Sequence, residues 1–112
     1  MSDLPAAGAE APAFSLTDRQ GSPMAFDGDA RGATLLFFFK HDCATCELTA
    51  PLVERLHRAL GPLGLRVAGV SQDPDADTAG FVDRHGLSFD VALDADLAVS
   101  ADYGFDAVPA LV

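Results

Sequence analysis

The chain has 112 residues, 49% of them hydrophobic and 21% charged, which suits one soluble globular domain with a single core and excludes a disordered segment. Seventeen acidic residues against seven Lys plus Arg give a net charge of −10, so no basic patch is at hand to displace counterions from a nucleic-acid backbone. No stretch approaches the ~20 apolar residues of a membrane span, and Met1-Ser2-Asp3-Leu4-Pro5 lacks the charged and apolar regions of a secretory signal.

Taken in chain order, residues 1–13 are rich in Ala, Pro and Gly and read as an extended lead-in. Phe14 to Leu16 and Met24 to Phe26 are predicted short strands, separated by the turn-like Asp18-Arg19-Gln20-Gly21. Ala33 to Phe39 is a nearly continuous apolar run, the pattern of a strand covered on both faces in a parallel sheet. After Lys40-His41-Asp42 a helix is expected, with Asp42 as its N-cap. Leu48, Leu52, Leu56 and Leu60, flanked by Val53 and Ala59, form its apolar stripe, and Glu47, Glu54, Arg55 and Arg58 fall off it. Pro51 should bend this helix, and Gly61-Pro62 should stop it.

Leu65 to Val70 is the next predicted strand. A second helix follows, with Asp73 as cap, Pro74 at its first position, Ala76, Ala79 and Val82 on one side, and Gly86 as its end. Phe89 to Leu93 is a third strand, and Asp94 can cap a short helix running to Tyr103. Strands alternating with helices imply an α/β fold with parallel pairing. The final Val108-Pro109-Ala110-Leu111-Val112 is again strand-like. A domain rarely finishes inside a fresh apolar strand, so the natural sequence is expected to continue.

The chemistry lies in Cys43-Ala44-Thr45-Cys46. Two cysteines three apart are not a secreted disulfide framework; they point to catalysis or metal binding. At a helix start the Cys43 sulfur faces unpaired amides and the positive end of the helix dipole, both of which favour thiolate. Cys46 lies nearly one turn on and on the same side, so the pair can close a small disulfide with little backbone movement. The first thiolate would attack a substrate disulfide and the second would resolve the mixed intermediate. Asp42 opposes thiolate formation, and Lys40 and His41 can offset it; these three are the predicted modulating residues.

At these residues the chain resembles the thioredoxin superfamily, and within it the TlpA/ResA-type redoxins related to AhpC/TSA peroxiredoxins. Gly8 to Leu16 with Asp18 and Gly21 is similar to the redoxin lead-in. Cys43 to Cys46 with Pro51 resembles the active-site helix and its kinking proline. Val70-Ser71-Gln72-Asp73 resembles the strand end before this branch's inserted helix, and Tyr103 to Leu111 resembles the segment carrying the family's proline, with Ala110 in place of Thr. The resemblance implies a single thioredoxin-like domain over residues 1–112. Its architecture would have three layers and a central mixed sheet, without the final hairpin and helix. It also implies that Val108 and Pro109 face the substrate across a cis bond.

Two family positions differ. Asp42 stands where Trp is usual, and Phe37 stands where many thioredoxins carry a buried acid. The reading is a thiol–disulfide oxidoreductase with Cys43 as nucleophile and Cys46 as resolver. It needs no cofactor and no metal, and it acts on protein or small-molecule disulfides and thiols, with no nucleic acid or membrane partner. A peroxidase is the rival enzyme, although Leu36 and Lys40 stand where its Pro and Thr would be. A binding or metal-holding module is the rival from another class. An exposed sheet edge would allow association. The expected compartment is the cytoplasm as written, or the periplasm or another extracytoplasmic space if a leader has been trimmed.

Overall fold

The computed structural model describes residues 14–26, 34–94, 97, 99, 101 and 110–111. Two antiparallel strands, β1 (Phe14–Asp18) and β2 (Pro23–Phe26), precede β3 (Thr34–Phe39) and helix α1 (Ala44–Leu60). A 3-10 turn at Gly61–Leu63 leads to β4 (Arg66–Ser71), α2 (Asp75–His85), β5 (Asp90–Leu93) and β6 (Ala110–Leu111). The six strands form one mixed sheet in the order β2-β1-β5-β4-β3-β6. β3, β4 and β5 are parallel neighbours, as the strand–helix alternation implies. β1 joins β5 and β6 joins β3 in antiparallel fashion. Among the described residues no helix is long and apolar enough to cross a membrane.

The apolar run in β3 is covered on both sides: Leu36 is 2% exposed, and Phe37, Phe38 and Phe39 are fully buried. Because side chains alternate along a strand, Phe37 and Phe39 join Cys46, Ala50, Val53, Phe81 and Val91 on one face. Leu36 and Phe38 join Met24, Val70, Ala92 and Val99 on the other. Phe39 stacks on Phe37 at 5.0 Å and on Phe81 at 4.7 Å between ring centroids. Opposite Phe37 in the register stands Gly69. A Cβ there would lie 3.1 Å from each of Phe39, Phe89 and Val91, so the glycine lets β4 carry two phenylalanines across its surface.

Both helices are turned from the face their sequence suggests, although Val53 and Val82 of the expected faces are buried. The leucine stripe of α1 faces outward, with Leu48 80% and Leu52 56% exposed and Leu56 and Leu60 also in contact with solvent. The buried side is Cys46, Ala50, Val53 and Glu54. Glu54 can enter the interior because its carboxylate accepts from the Ser88 amide at 2.8 Å, the Ser88 hydroxyl at 2.6 Å and Arg58 Nε at 2.5 Å. Burial works against its charge, but Ser88 and Arg58 prevail and hold its pKa below the usual carboxylate value.

In α2 the inward residues are Thr78, Phe81 and Val82, so of the expected Ala76, Ala79 and Val82 side only Val82 is among the buried residues. Thr78 is tolerated there because its hydroxyl meets Ser71 Oγ at 2.7 Å and donates to the Pro74 carbonyl at 3.0 Å. Pro74, not Asp73, occupies the N-cap of α2. Buried Asp94 accepts the Val99 amide at 3.1 Å; the short helix expected from it to Tyr103 lies largely outside the described residues.

Two outcomes follow for stability. Gly69→Ala should destabilise the fold by about 1–3 kcal/mol, since three neighbours must move at once; urea unfolding measures it. Glu54→Gln should cost about 1–3 kcal/mol near neutral pH. A lowered folded pKa contributes stability above the unfolded value and loses it as pH falls through the folded one. The gap between wild type and E54Q should therefore close on acidification, and a gap constant down to low pH would contradict this account.

Candidate functional site

Parallel pairing of β3 with β4 sets Phe39 opposite Ser71, and the Gln72 amide donates to the Phe39 carbonyl at 2.9 Å. The loops leaving these two strand ends therefore meet. One carries Lys40, His41 and Asp42 and leads into the cysteine pair; the other carries Gln72, Asp73 and Pro74 and leads into α2.

Cys43, not Asp42, is the N-cap of α1, with φ −114° and ψ 111°. Its Sγ accepts the Cys46 amide at 3.2 Å, and its carbonyl accepts the Glu47 amide at 3.0 Å. Sulfur here does what a capping carboxylate does elsewhere, and a thiolate would accept more strongly than a thiol. Displaced from the cap, Asp42 is exposed, with Oδ1 4.0 Å from Lys40 Nζ.

Cys46 is fully buried among Phe39, Ala50 and Val53, whereas Cys43 is half-buried, and the two are not joined in a disulfide. Burial first, and then hydrogen bonding with Cys43, push the Cys46 thiol up to about 12. The Lys40 backbone amide and ammonium pull it the other way. One sulfur is therefore reachable and engaged by an amide, and the other is protonated and held back. This asymmetry is what a nucleophile and a resolver require.

His41 turns to the neighbouring loop. Its amide donates to Asp73 Oδ2 at 2.5 Å, and its Nδ1 lies 3.1 Å from the same oxygen. The Asp73 carboxylate against its ring raises the His41 pKa above 6.5; burial opposes this, and the charges of Asp73, Asp77 and Asp42 reinforce it. Asp73 and Asp77 were not singled out as site residues by the sequence. The available signal was topological: two adjacent parallel strands must bring the residues after their carboxyl ends together.

His41, Asp73 and Asp77 each present one atom within 4.8 Å of the others, the one such cluster among the described residues. Within it, Asp73 engages both the amide and the ring of His41. Neither thiol is part of it. Val108 and Pro109 lie outside the described residues, while β6, just after them, pairs with Phe37 and Phe38 of β3. A cleft of about 440 Å³, lined in part by His57, Arg58, Arg66 and Phe89, lies at the far end of α1 from the cysteines.

Comparison with known proteins gives this geometry a lineage. Residues 7–111 match the AhpC/TSA family. The chain belongs to that family. Among AhpC/TSA relatives, it is 31% identical over 111 residues to the thiol-disulfide oxidoreductase ResA of Halalkalibacterium halodurans, covering 97% of this chain and 62% of ResA. It is also 31% identical over 99 residues to a putative peroxiredoxin, bcp, of Haemophilus influenzae, covering 87% of this chain and 63% of that protein. The chain thus spans somewhat under two thirds of the length of these curated relatives.

Among solved structures, it is similar to a secreted Mycobacterium tuberculosis disulfide oxidoreductase homologous to Escherichia coli DsbE. The TM-score is 0.76 at 26% identity, over 88% of this chain and 73% of that one. A putative protein disulfide isomerase from Bacteroides thetaiotaomicron superposes at TM-score 0.88 over 99% of this chain and 72% of that one. At 20% identity that likeness shows the thioredoxin-like fold alone.

The asymmetry of the two sulfurs has a direct test. Iodoacetamide applied to the reduced native protein near pH 8 should label Cys43, with Cys46 modified at least about 100-fold more slowly. Peptide mass mapping reads the two sites separately, and equal labelling would contradict the arrangement.

Proposed function

We propose that this chain carries the active dithiol of a thiol–disulfide oxidoreductase. The observation that supports it best is a half-buried Cys43 whose sulfur caps α1 through the Cys46 amide, with the buried Cys46 thiol one turn along the same helix. Cys43 as thiolate attacks one sulfur of a substrate disulfide; that S–S bond breaks, a substrate thiolate leaves, and a Cys43–substrate disulfide forms. Cys46 then gives up its proton and attacks the Cys43 sulfur, releasing the second substrate thiolate and closing Cys43–Cys46. Two electrons pass to the substrate, and the reverse sequence applies when the closed pair meets a dithiol.

Phe37 offers no base in the position where many thioredoxins carry an acid. Lys40 is then the group that eases ionisation of Cys46, through its backbone amide and its charge. Val108 and Pro109, by the family likeness, complete the surface that receives the substrate. The substrate class is protein or small-molecule disulfides and thiols, and the chemistry draws on no cofactor.

Reduction of insulin disulfides by wild type, Cys43→Ser and Cys46→Ser tests the reading. C43S should lose at least about 100-fold in rate, and C46S should accumulate a mixed disulfide on Cys43, visible as an added mass. Turnover indifferent to either substitution would reject the proposal. Peroxide consumption that requires Cys43, without insulin reduction, would transfer the chain to the peroxidase class of its other relatives.

A further inference from the structure

We propose that Asp73 is a positioning residue for the dithiol, holding the β3–α1 turn through His41 so that Cys43 is presented to its substrate. The inference deepens the oxidoreductase reading and rests on it for its meaning, although its readout is Cys43 itself.

Asp73 grips His41 at two points, the backbone amide at 2.5 Å and the ring at 3.1 Å. His41 is only two residues before Cys43, so a shift of the turn is passed on to the sulfur through one intervening residue. The carboxylate is also anchored from behind. The Asp73 amide donates to Ser71 Oγ at 3.1 Å, and Ser71 Oγ meets Thr78 Oγ1 at 2.7 Å, with both side chains fully buried. The Gln72 amide bonded to the Phe39 carbonyl ties the same two loops at their roots. A continuous set of hydrogen bonds therefore runs from the interior to the residue that sets the turn. Asp42, the acid nearer in sequence, faces Lys40 instead.

The grip has one part that depends on protons and one that does not. Donation by the His41 amide persists at any pH at which Asp73 is ionised, whereas the charge–charge attraction to the ring requires a protonated imidazole. Among the described residues, the charges acting on that imidazole are Asp73 from the β4–α2 loop, Asp77 from α2, and Asp42 from its own turn. Asp75 on α2 is engaged by Arg19 at 3.2 Å. The carboxylates raise the His41 pKa, so the ring–carboxylate attraction is complete below the unfolded value and is lost as pH rises through the folded one. Thiolate formation runs the opposite way with pH, which separates the two effects.

The experiment follows alkylation of reduced wild-type, Asp73→Asn and His41→Gln proteins by iodoacetamide from about pH 5 to 9. Each rate is divided by the thiolate fraction from ultraviolet absorbance, and the His41 midpoint is read by NMR. The wild-type normalised rate should fall about tenfold as His41 deprotonates, the scale expected when a reacting atom is displaced by a fraction of an ångström. In D73N the His41 midpoint should drop and the normalised rate should be low throughout, and in H41Q the profile should be flat. A D73N protein that keeps the wild-type normalised profile while its His41 midpoint has shifted would overturn the proposal. Should D73N fail to fold, the wild-type break and its absence in H41Q decide the matter, and a break that persists in H41Q refutes it. Alkylation reports Cys43 presentation whether or not the protein reduces insulin, so failure of the oxidoreductase reading is visible separately.

Discussion

The parallel register of β3 against β4 organises the rest of this molecule. Four consecutive side chains, Leu36 to Phe39, are withdrawn from water on alternating faces of the sheet. A slip of one residue would exchange the two faces and lose both cores together. With that register held, Phe39 and Ser71 end their strands side by side, and everything chemical in the chain lies within a few residues of that point. Gly69 is part of the same constraint, because only a residue without a side chain lets Phe39 and Phe89 pass over β4.

At the strand end, electrostatics takes over from packing. A helix that begins with a sulfur in place of a carboxylate at its cap directs an unpaired amide at a potential nucleophile. The next cysteine is carried inward by the same helix into a layer of phenylalanine and valine, where ionisation is costly. The difference between Cys43 and Cys46 is thus a difference of depth over a single helical turn.

The exposed leucines of α1 show why hydrophobic periodicity alone misassigned its inner face. The helix has two candidate stripes, one of leucines and one of Cys46, Ala50, Val53 and Glu54, and hydrophobicity favours the first. The second is buried because it carries the cysteine close to the sheet with small side chains and because Ser88 receives Glu54. The rule that apolar residues go inside has no converse for the surface, and Ser88 lies 34 residues from Glu54. Thr78 in α2 repeats the lesson, since its place inside depends on Ser71 in a neighbouring strand.

The amino-acid order by itself determined the strands and helices, the doubly covered β3, the parallel pairing, and the cysteine pair at a helix start. Those features follow from local patterning: an unbroken apolar run, caps and breakers such as Gly61, Pro62 and Gly86, and the spacing of Cys43 and Cys46. Tertiary structure decided which side of α1 is buried, that Cys43 displaces Asp42 as the cap, and that Asp73 joins His41 instead of capping α2. Each of these depends on a partner brought close by folding, and a carboxylate or thiol takes the donor that packing leaves nearest, which spacing along the chain does not encode.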